Sequence, residues 1–389
     1  MRDFMQELKN FFRKGDMVLL ILCLARSAFG CLVIASTTNA AKFGGSIRYI
    51  VIQIGATVLG IALYAIFSSI DAEFFSEHRL AFTVFNLFLI LLLIPFGTDN
   101  NTGNYSWLKF PLIPFYIQPA EICKIFYILI MASVMASHQN HLSGLRSIGH
   151  MVLHLGLIFG ANIVISRDLG VSLVFAFIFV GMAFSGGLSL AWFLGGLGFL
   201  AVGGPVYWTQ MMTDKQKDRI LYLFIPEQID PKGLGVGWHT AESLKSLTGG
   251  GMTGQGLFNG NRTQSGQLFA QHTDFVFSSI GEELGFVGCA LVLVLLLAII
   301  ARCIWVGRQS NDMMRRLICY GAASALIFQV IINVGMCIGV MPFIGITLPL
   351  ISYGGSSIAT IYMMLGLVSG VHARPSPRSH ERYIQPPRW

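Results

Sequence analysis

The chain has 389 residues, of which 54% are hydrophobic and only 12% charged, and its mean hydropathy is +0.66. A soluble domain usually carries about 25% charged residues, so this composition excludes a soluble enzyme and requires that most of the chain sit in lipid. The net charge of +7 suits a membrane protein facing anionic lipid and gives no support to nucleic-acid binding. All seven cysteines fall inside apolar segments without metal-type spacing, so neither a disulfide framework nor a zinc site is implied.

About 20 consecutive apolar residues cross a bilayer as a helix. On that measure spans fall near residues 17–36, 47–68, 80–97, 119–137, 148–165, 169–186, 188–208, 276–301, 317–340 and 350–371. The first follows Arg13, Lys14 and Asp16 as a signal peptide would, yet it is long enough to cross and others follow, so it reads as a retained helix. The fold class is an all-α polytopic membrane protein of about ten helices. One long loop, residues 209–275, lies between helices 7 and 8. Short segments on the N-terminal side hold most of the Lys and Arg, among them Arg79, Arg146, Arg308, Arg315, Arg316 and Arg374, whereas the opposite short loops hold Lys42, Arg48, Lys109 and Arg167. That bias makes both termini cytoplasmic and the long loop extracytoplasmic. Residues 1–372 read as one transmembrane domain, and the Pro- and Arg-rich stretch 373–389 as a disordered cytoplasmic tail. No internal repeat is evident, which weighs against an inverted-repeat transporter.

Charges inside spans are costly and mark functional sites. Arg26 lies near the middle of the first helix. Glu121 and Lys124, spaced i, i+3 at the start of the fourth, share a face and can neutralise each other; a pair that only pins helices is the competing reading. Asn101 to Gln118, with Tyr105, Trp107, Pro111, Pro114 and Tyr116, has the composition of an interfacial or re-entrant turn. Asp168 can cap the sixth helix.

The long loop is unusual between spans. It carries the cations Lys215, Lys217, Arg219 and Arg262, two glycine-rich stretches (Gly233 to Gly237 and Gly249 to Gly256), and Gln271-His272-Thr273-Asp274-Phe275 leading into Gly281-Glu282-Glu283-Leu284-Gly285. Its glycines permit tight turns and close backbone approach to a ligand. Asp274 sits where the polar loop meets an aromatic helix start, at headgroup height. A partly desolvated carboxylate there suits general-base work, and nearby cations suit a phosphate-bearing partner. The residues alone specify a membrane enzyme or transporter that handles an anionic lipid.

Across nearly its whole length the chain resembles the SEDS family, the RodA, FtsW and SpoVE group. The resemblance rests on Gln118-Pro119-Ala120-Glu121-Ile122-Cys123-Lys124, Asp168-Leu169-Gly170, Asp230-Pro231-Lys232-Gly233, Gly249 to Gly256, His272 to Phe275, Glu282 to Gly285, Met341-Pro342, and Leu348 to Ser357. It implies a peptidoglycan glycosyltransferase that polymerises lipid II into β-1,4 glycan strands by inverting displacement at the outer face of the bacterial cytoplasmic membrane, for cell shape or division. By the same resemblance Asp274 is the catalytic base. Arg219 is the first candidate for the diphosphate, with Lys215, Lys217 and Arg262 behind it, and Glu121, Lys124, Asp168 and His272 support the substrate. No cofactor is required; a divalent cation (Mg or Mn) riding on the diphosphate is compatible. The implied partner is a class B penicillin-binding protein. The chain departs from the family's usual pattern at Ala120 (commonly Ser), Arg167 (commonly Pro), Gly237-Trp238-His239 (usually Gly-Tyr-Gln) and Phe269-Ala270-Gln271 (commonly Leu-Pro-Glu). A lipid II flippase and a non-catalytic scaffold for a transpeptidase are the alternatives, and Asp274 separates them.

Overall fold

The computed structural model describes residues 14–40, 47–98, 105–109 and 116–374. The tail beyond Arg374, with Pro111 and Pro114, lies outside the described residues. Among the described residues ten helices are long and apolar enough to cross a membrane: α1 Met17–Thr37, α2 Ile47–Ser69, α3 Arg79–Phe96, α4 Pro119–Ser137, α5 Leu145–Ser166, α6 Leu169–Gly186, α7 Leu190–Gln210, α8 Val276–Gln309, α9 Met313–Cys337 and α10 Gly355–Ala373. The all-α expectation holds. The additions are two two-residue strands, β1 Gly97–Thr98 and β2 Trp107–Leu108, which pair antiparallel; β2 lies inside the segment read as an interfacial turn and β1 just before it.

Two boundaries differ from the sequence reading by five residues or more. α8 runs on to Gln309 rather than ending near 301, and α10 starts at Gly355 rather than 350. The first difference arises because Arg302 and Arg308 carry the helix past the apolar run without breaking it. The second arises because Pro349 and a left-handed Leu350 (φ 60°) hold an apolar stretch in turns. Those turns leave carbonyls free, and buried side chains take them: Arg26 Nε donates to Pro349 O (2.9 Å) and Gln53 Nε2 to Ile351 O (3.2 Å). A second Arg26 bond, Nη1 to Val292 O (2.7 Å), ties α1 to α8. Arg26 is therefore a staple among three segments, with its charge solvated by carbonyl dipoles.

α10 is the axis of the bundle, buried from Gly355 to Val371. At Gly366 it approaches α2 so closely that a Cβ would meet Tyr64 O at 2.6 Å, the close contact that small residues give membrane helices. α7 lies at the opposite extreme, with none of its residues buried.

The long loop is folded. It contains helices at Asp214–Leu221, Pro226–Ile229, Trp238–Gly250 and Asn261–Ser265. What fixes it is a break in α8. Gly285 has φ 65° and ψ −163°, a conformation open essentially only to glycine. The break strands four backbone groups, and buried groups of that kind must find partners. Gln255 N and Gly256 N donate to Glu282 O and Glu283 O (both 2.9 Å), while Phe286 N and Val287 N donate to Gly251 O (2.9 Å) and Met252 O (3.2 Å). The Glu282 carboxylate accepts from Arg262 N, Thr263 N and Thr263 Oγ1; that of Glu283 accepts from Ser36 Oγ and Gln264 Nε2. The second glycine-rich stretch thus serves a backbone seam with α8. A Cβ on Gly254 would lie 2.1 Å from Glu283 O, so close approach of the chain to itself, not to a ligand, accounts for this glycine.

Gly285→Ala would force a side chain within 2.4 Å of Gly254 N in a disallowed backbone region. The expected destabilisation is about 2–4 kcal/mol, read as a lower Tm of the detergent-purified protein together with faster proteolysis of the loop. An unchanged Tm with an intact loop would refute the seam.

Candidate functional site

Asp274 follows from how the end of the loop is tied. Thr273 N and Phe275 N both donate to Ala270 O (3.0 and 3.2 Å), closing a turn just before α8. Three successive carbonyls are then held from outside. Tyr353 N donates to His272 O (2.7 Å), Ser352 Oγ to Thr273 O (2.6 Å), and Asn333 Nδ2 to Asp274 O (2.8 Å). The backbone is fixed, while the Asp274 carboxylate accepts no hydrogen bond among the described residues. Burial, reinforced by the negative charge of Asp168, pushes its pKa up to about 6.

The same Asn333 amide also donates to Ile346 O (2.7 Å), which draws the turn from Met341 to Ile346 over Asp274. A side chain at Gly345 would come 3.7 Å from Asp274 Oδ2. Phe343 stacks on Phe275 (centroids 5.4 Å apart, 18° between planes) and lies under the Arg219 guanidinium at 5.2 Å. Arg219 Nη1 also reaches Phe343 O at 3.4 Å. Ile344 packs so tightly on Gly170 that no Cβ fits there. One short turn therefore walls in Asp274, Arg219 and the N-terminus of α6.

Asp168 stands at that N-terminus. Its Oδ1 accepts from Val171 N (3.1 Å) and its Oδ2 from Ser106 Oγ (2.9 Å), so it caps α6 as its position in the sequence predicts. Burial nonetheless raises its pKa, against the opposing hydrogen bonds and the charge of Arg219. Burial lowers that of Arg219 in turn, with Asp168 opposing. Asp274, Asp168 and Arg219 thus form one electrostatic group.

The remaining sequence candidates lie elsewhere. Lys124 Nζ and Glu121 Oε1 form a buried pair at 2.8 Å, and Thr360 Oγ1 of α10 reaches Glu121 Oε2 at 3.4 Å. Among the described residues no hydrogen bond or ion pair links this pair to Asp274 or Arg219. Arg262 binds Glu242, which Lys245 also holds at 2.8 Å. Lys215 is exposed and Lys217 lies 3.9 Å from Asp214. The His272 ring packs edge-on against Tyr49 (5.4 Å) and tilted against Tyr353 (5.6 Å). Sequence reasoning overlooked Asn333 and the Phe343 turn. An asparagine inside an apolar span was the available signal for the first; Met341-Pro342 marked the second without revealing what it covers.

Over residues 16–376 the chain matches the FtsW/RodA/SpoVE family, described as cell cycle protein. The chain belongs to this family. Peptidoglycan glycosyltransferase MrdB of Escherichia coli K12 is 30% identical over 370 residues, 94% of this chain and 95% of that protein. Stage V sporulation protein E of Bacillus subtilis is 30% identical over 364 residues, 92% and 96% of the two chains. Among solved structures, the rod shape determining protein RodA of Thermus thermophilus is similar with a TM-score of 0.67 at 26% identity, covering 92% of this chain and 96% of that one. A chain from a peptidoglycan synthase complex, solved to explain how polymerization and crosslinking are coordinated, gives 0.76 at 28%, covering 95% and 99%.

The electrostatic group makes a direct prediction. Asparagine retains a carbonyl oxygen that can cap α6 but removes the charge, so Asp168→Asn should lower the titration midpoint of Asp274. An isotope-edited infrared titration of its carboxyl would show this, and an unmoved midpoint would separate the two aspartates.

Proposed function

We infer that the chain is a peptidoglycan glycosyltransferase that polymerises lipid II, with Asp274 as its general base. The observation that carries this reading is the Asp274 carboxylate itself: its backbone is fixed by three donors, its side chain is left without a hydrogen bond among the described residues, and its pKa is raised to about 6. A base is most effective when its pKa lies near working pH. It is then ionised at neutral pH yet basic enough to take a proton.

In the reaction, the 4-hydroxyl oxygen of an N-acetylglucosamine attacks the anomeric carbon of the donor sugar. Its proton passes to Asp274 as the new C–O bond forms. The anomeric C–O bond to the diphosphate breaks, and undecaprenyl diphosphate departs with the electron pair. Attack opposite the leaving group converts an α-linked diphosphate into a β-1,4 link. Negative charge grows on the diphosphate, and Arg219, held across the Phe343 turn from Asp274, is positioned to balance it. Asp168 positions the site by capping α6 and by raising the basicity of Asp274. Lys215 and Lys217 add positive potential at the rim, and His272 lines the aromatic side. Glu121 and Lys124 act at one remove, bracing α4 against α10 through Thr360. Arg262 acts at one remove, through the helix Trp238–Gly250. Among the described residues no trio of His, Cys, Asp or Glu side chains is grouped to hold a metal, so a Mg or Mn ion would be carried by the diphosphate.

The Lys/Arg bias supports cytoplasmic termini, with Asp274 at the outer face of the membrane. The likeness to a chain of a peptidoglycan synthase complex supports a partner synthase, whose finer identity we take to be a class B penicillin-binding protein.

Asp274→Ala and Asp274→Asn should each lower glycan-strand formation from lipid II by about 10²–10⁴-fold while leaving Tm and detergent elution unchanged. For the wild type, the rate should be level above pH 6 and fall about tenfold per unit below it. Retained polymerisation by folded Asp274→Ala would overturn the assignment and favour a flippase or scaffold.

A further inference from the structure

His239 is the chain's departure from the family's usual glutamine, and no part of the mechanism above uses it. It sits at the start of the helix Trp238–Gly250, with its ring in an aromatic box. Phe269 lies 4.2 Å away centroid to centroid, Trp238 5.1 Å, Phe343 5.6 Å and Phe275 6.4 Å. Phe343 is the ring that also carries Arg219. His239 and Arg219 are therefore neighbours across one side chain, and Asp274 adjoins Phe275 in the same wall. The Nδ1 atom of His239 is buried without a hydrogen-bond partner among the described residues. A ring nitrogen in that state is stabilised by any ligand that can pair with it.

We propose that His239 is a diphosphate-binding group beside Arg219, neutral in the free protein and protonated when the diphosphate of the donor is bound. This rests on the reading that Arg219 binds that diphosphate. Burial, and after it the charge of Arg219, disfavours the imidazolium in the free state. An arriving polyanion offsets Arg219 and reverses the balance, so binding draws in a proton.

The charged surroundings permit it. Arg219 is the charged group acting on His239 from the Asp214–Leu221 helix. On its own helix Glu242 is engaged by Arg262 and Lys245. The loop carrying Phe269 and Phe275 contributes His272, turned towards Tyr49 and Tyr353, and Asp274. The Met341–Ile346 turn contributes no titratable group. Glutamine at this position could donate a hydrogen bond but could not add charge, so this chain should hold its leaving group in a pH-dependent way.

The sign follows from linkage. Affinity is highest where His239 is already protonated, and it falls as pH rises towards the pKa of the bound form. The test is calorimetric titration of the full-length protein in detergent with farnesyl diphosphate, a soluble polyprenyl diphosphate. It is run at pH 6.5 and 8.5, in two buffers of different ionisation enthalpy, for wild type, His239→Gln and Arg219→Ala. For the wild type, affinity should weaken roughly five- to tenfold across that range, with proton uptake on binding beyond what the diphosphate itself contributes. His239→Gln should lose that excess uptake and most of the pH dependence. Equal proton uptake by wild type and His239→Gln, with Arg219→Ala weakened, overturns the role of His239 alone. Undiminished binding by Arg219→Ala overturns the placement of the diphosphate on which it rests.

Discussion

The break at Gly285 is the constraint on which the site depends. An unbroken α8 would satisfy its own amides and carbonyls and leave the loop Gly249 to Gly256 without backbone partners. With the break, four hydrogen bonds that would have closed within the helix join it to the loop. Glu282 and Glu283, two carboxylates that would be costly inside a membrane helix, become acceptors for the loop's next segment. The acidic pair and the glycines are thus one device. A loop of this length would otherwise pay a large entropy to present one side chain in one place. Bound along the first turns of α8, it re-enters the bundle at Gln271 with little freedom left. Asp274 lies two residues before the helix that the loop is bound to.

A second constraint acts on charge. The protein places Asp274 and Asp168 within electrostatic reach of each other, and both carboxyls are pushed up by burial. Because the folded-state pKa of Asp274 exceeds its unfolded value of about 3.9, its contribution to stability is fully present below that value and is lost as pH rises through about 6. At neutral pH the fold therefore holds an ionised carboxylate that its packing disfavours. Such local destabilisation is characteristic of sites that must react. Arg219 limits it by acting on Asp168, and among the described residues its guanidinium, stacked on Phe343, reaches only a single carbonyl.

Much of this was legible in the sequence. Apolar runs locate ten spans because lipid leaves backbone groups no other partner than a helix, and Asp168 announces its cap by standing before Leu169-Gly170. Asp274 was legible as a carboxylate at the junction of a polar loop and an aromatic helix start. The purpose of the loop glycines was not, because the groups they approach at Glu282 and Glu283 are distant in sequence. Arg262 looked like a free cation for the same reason: nothing local reveals that Glu242, a helix away, engages it. The Phe343 turn was hidden because its role depends on Asn333 bridging two carbonyls, a relation that no pattern of residue types encodes. The end of α8 and the start of α10 were misjudged where hydropathy and backbone geometry disagree, at Arg302 and Leu350.

The departures around Asp274 show what the site tolerates. Ala270 has φ 44°, a value closed to the proline common there in the family, whose ring fixes φ near −65°. The chain must therefore enter the turn differently, yet Ala270 O still receives both Thr273 N and Phe275 N. Gln271, where the family commonly has glutamate, is fully buried and donates Nε2 to Thr37 O (2.6 Å) and Thr263 O (2.9 Å). An ionised glutamate has no proton to give either carbonyl, so the amide suits this backbone and a carboxylate would not. The two departures are adjacent: a turn that proline could not form stands beside a glutamine that answers the carbonyls of Thr37 and Thr263. Both sit upstream of the three donors that fix His272, Thr273 and Asp274. The route into the turn thus ends, in this chain, at the three donors that hold the backbone of Asp274 and its two predecessors in place.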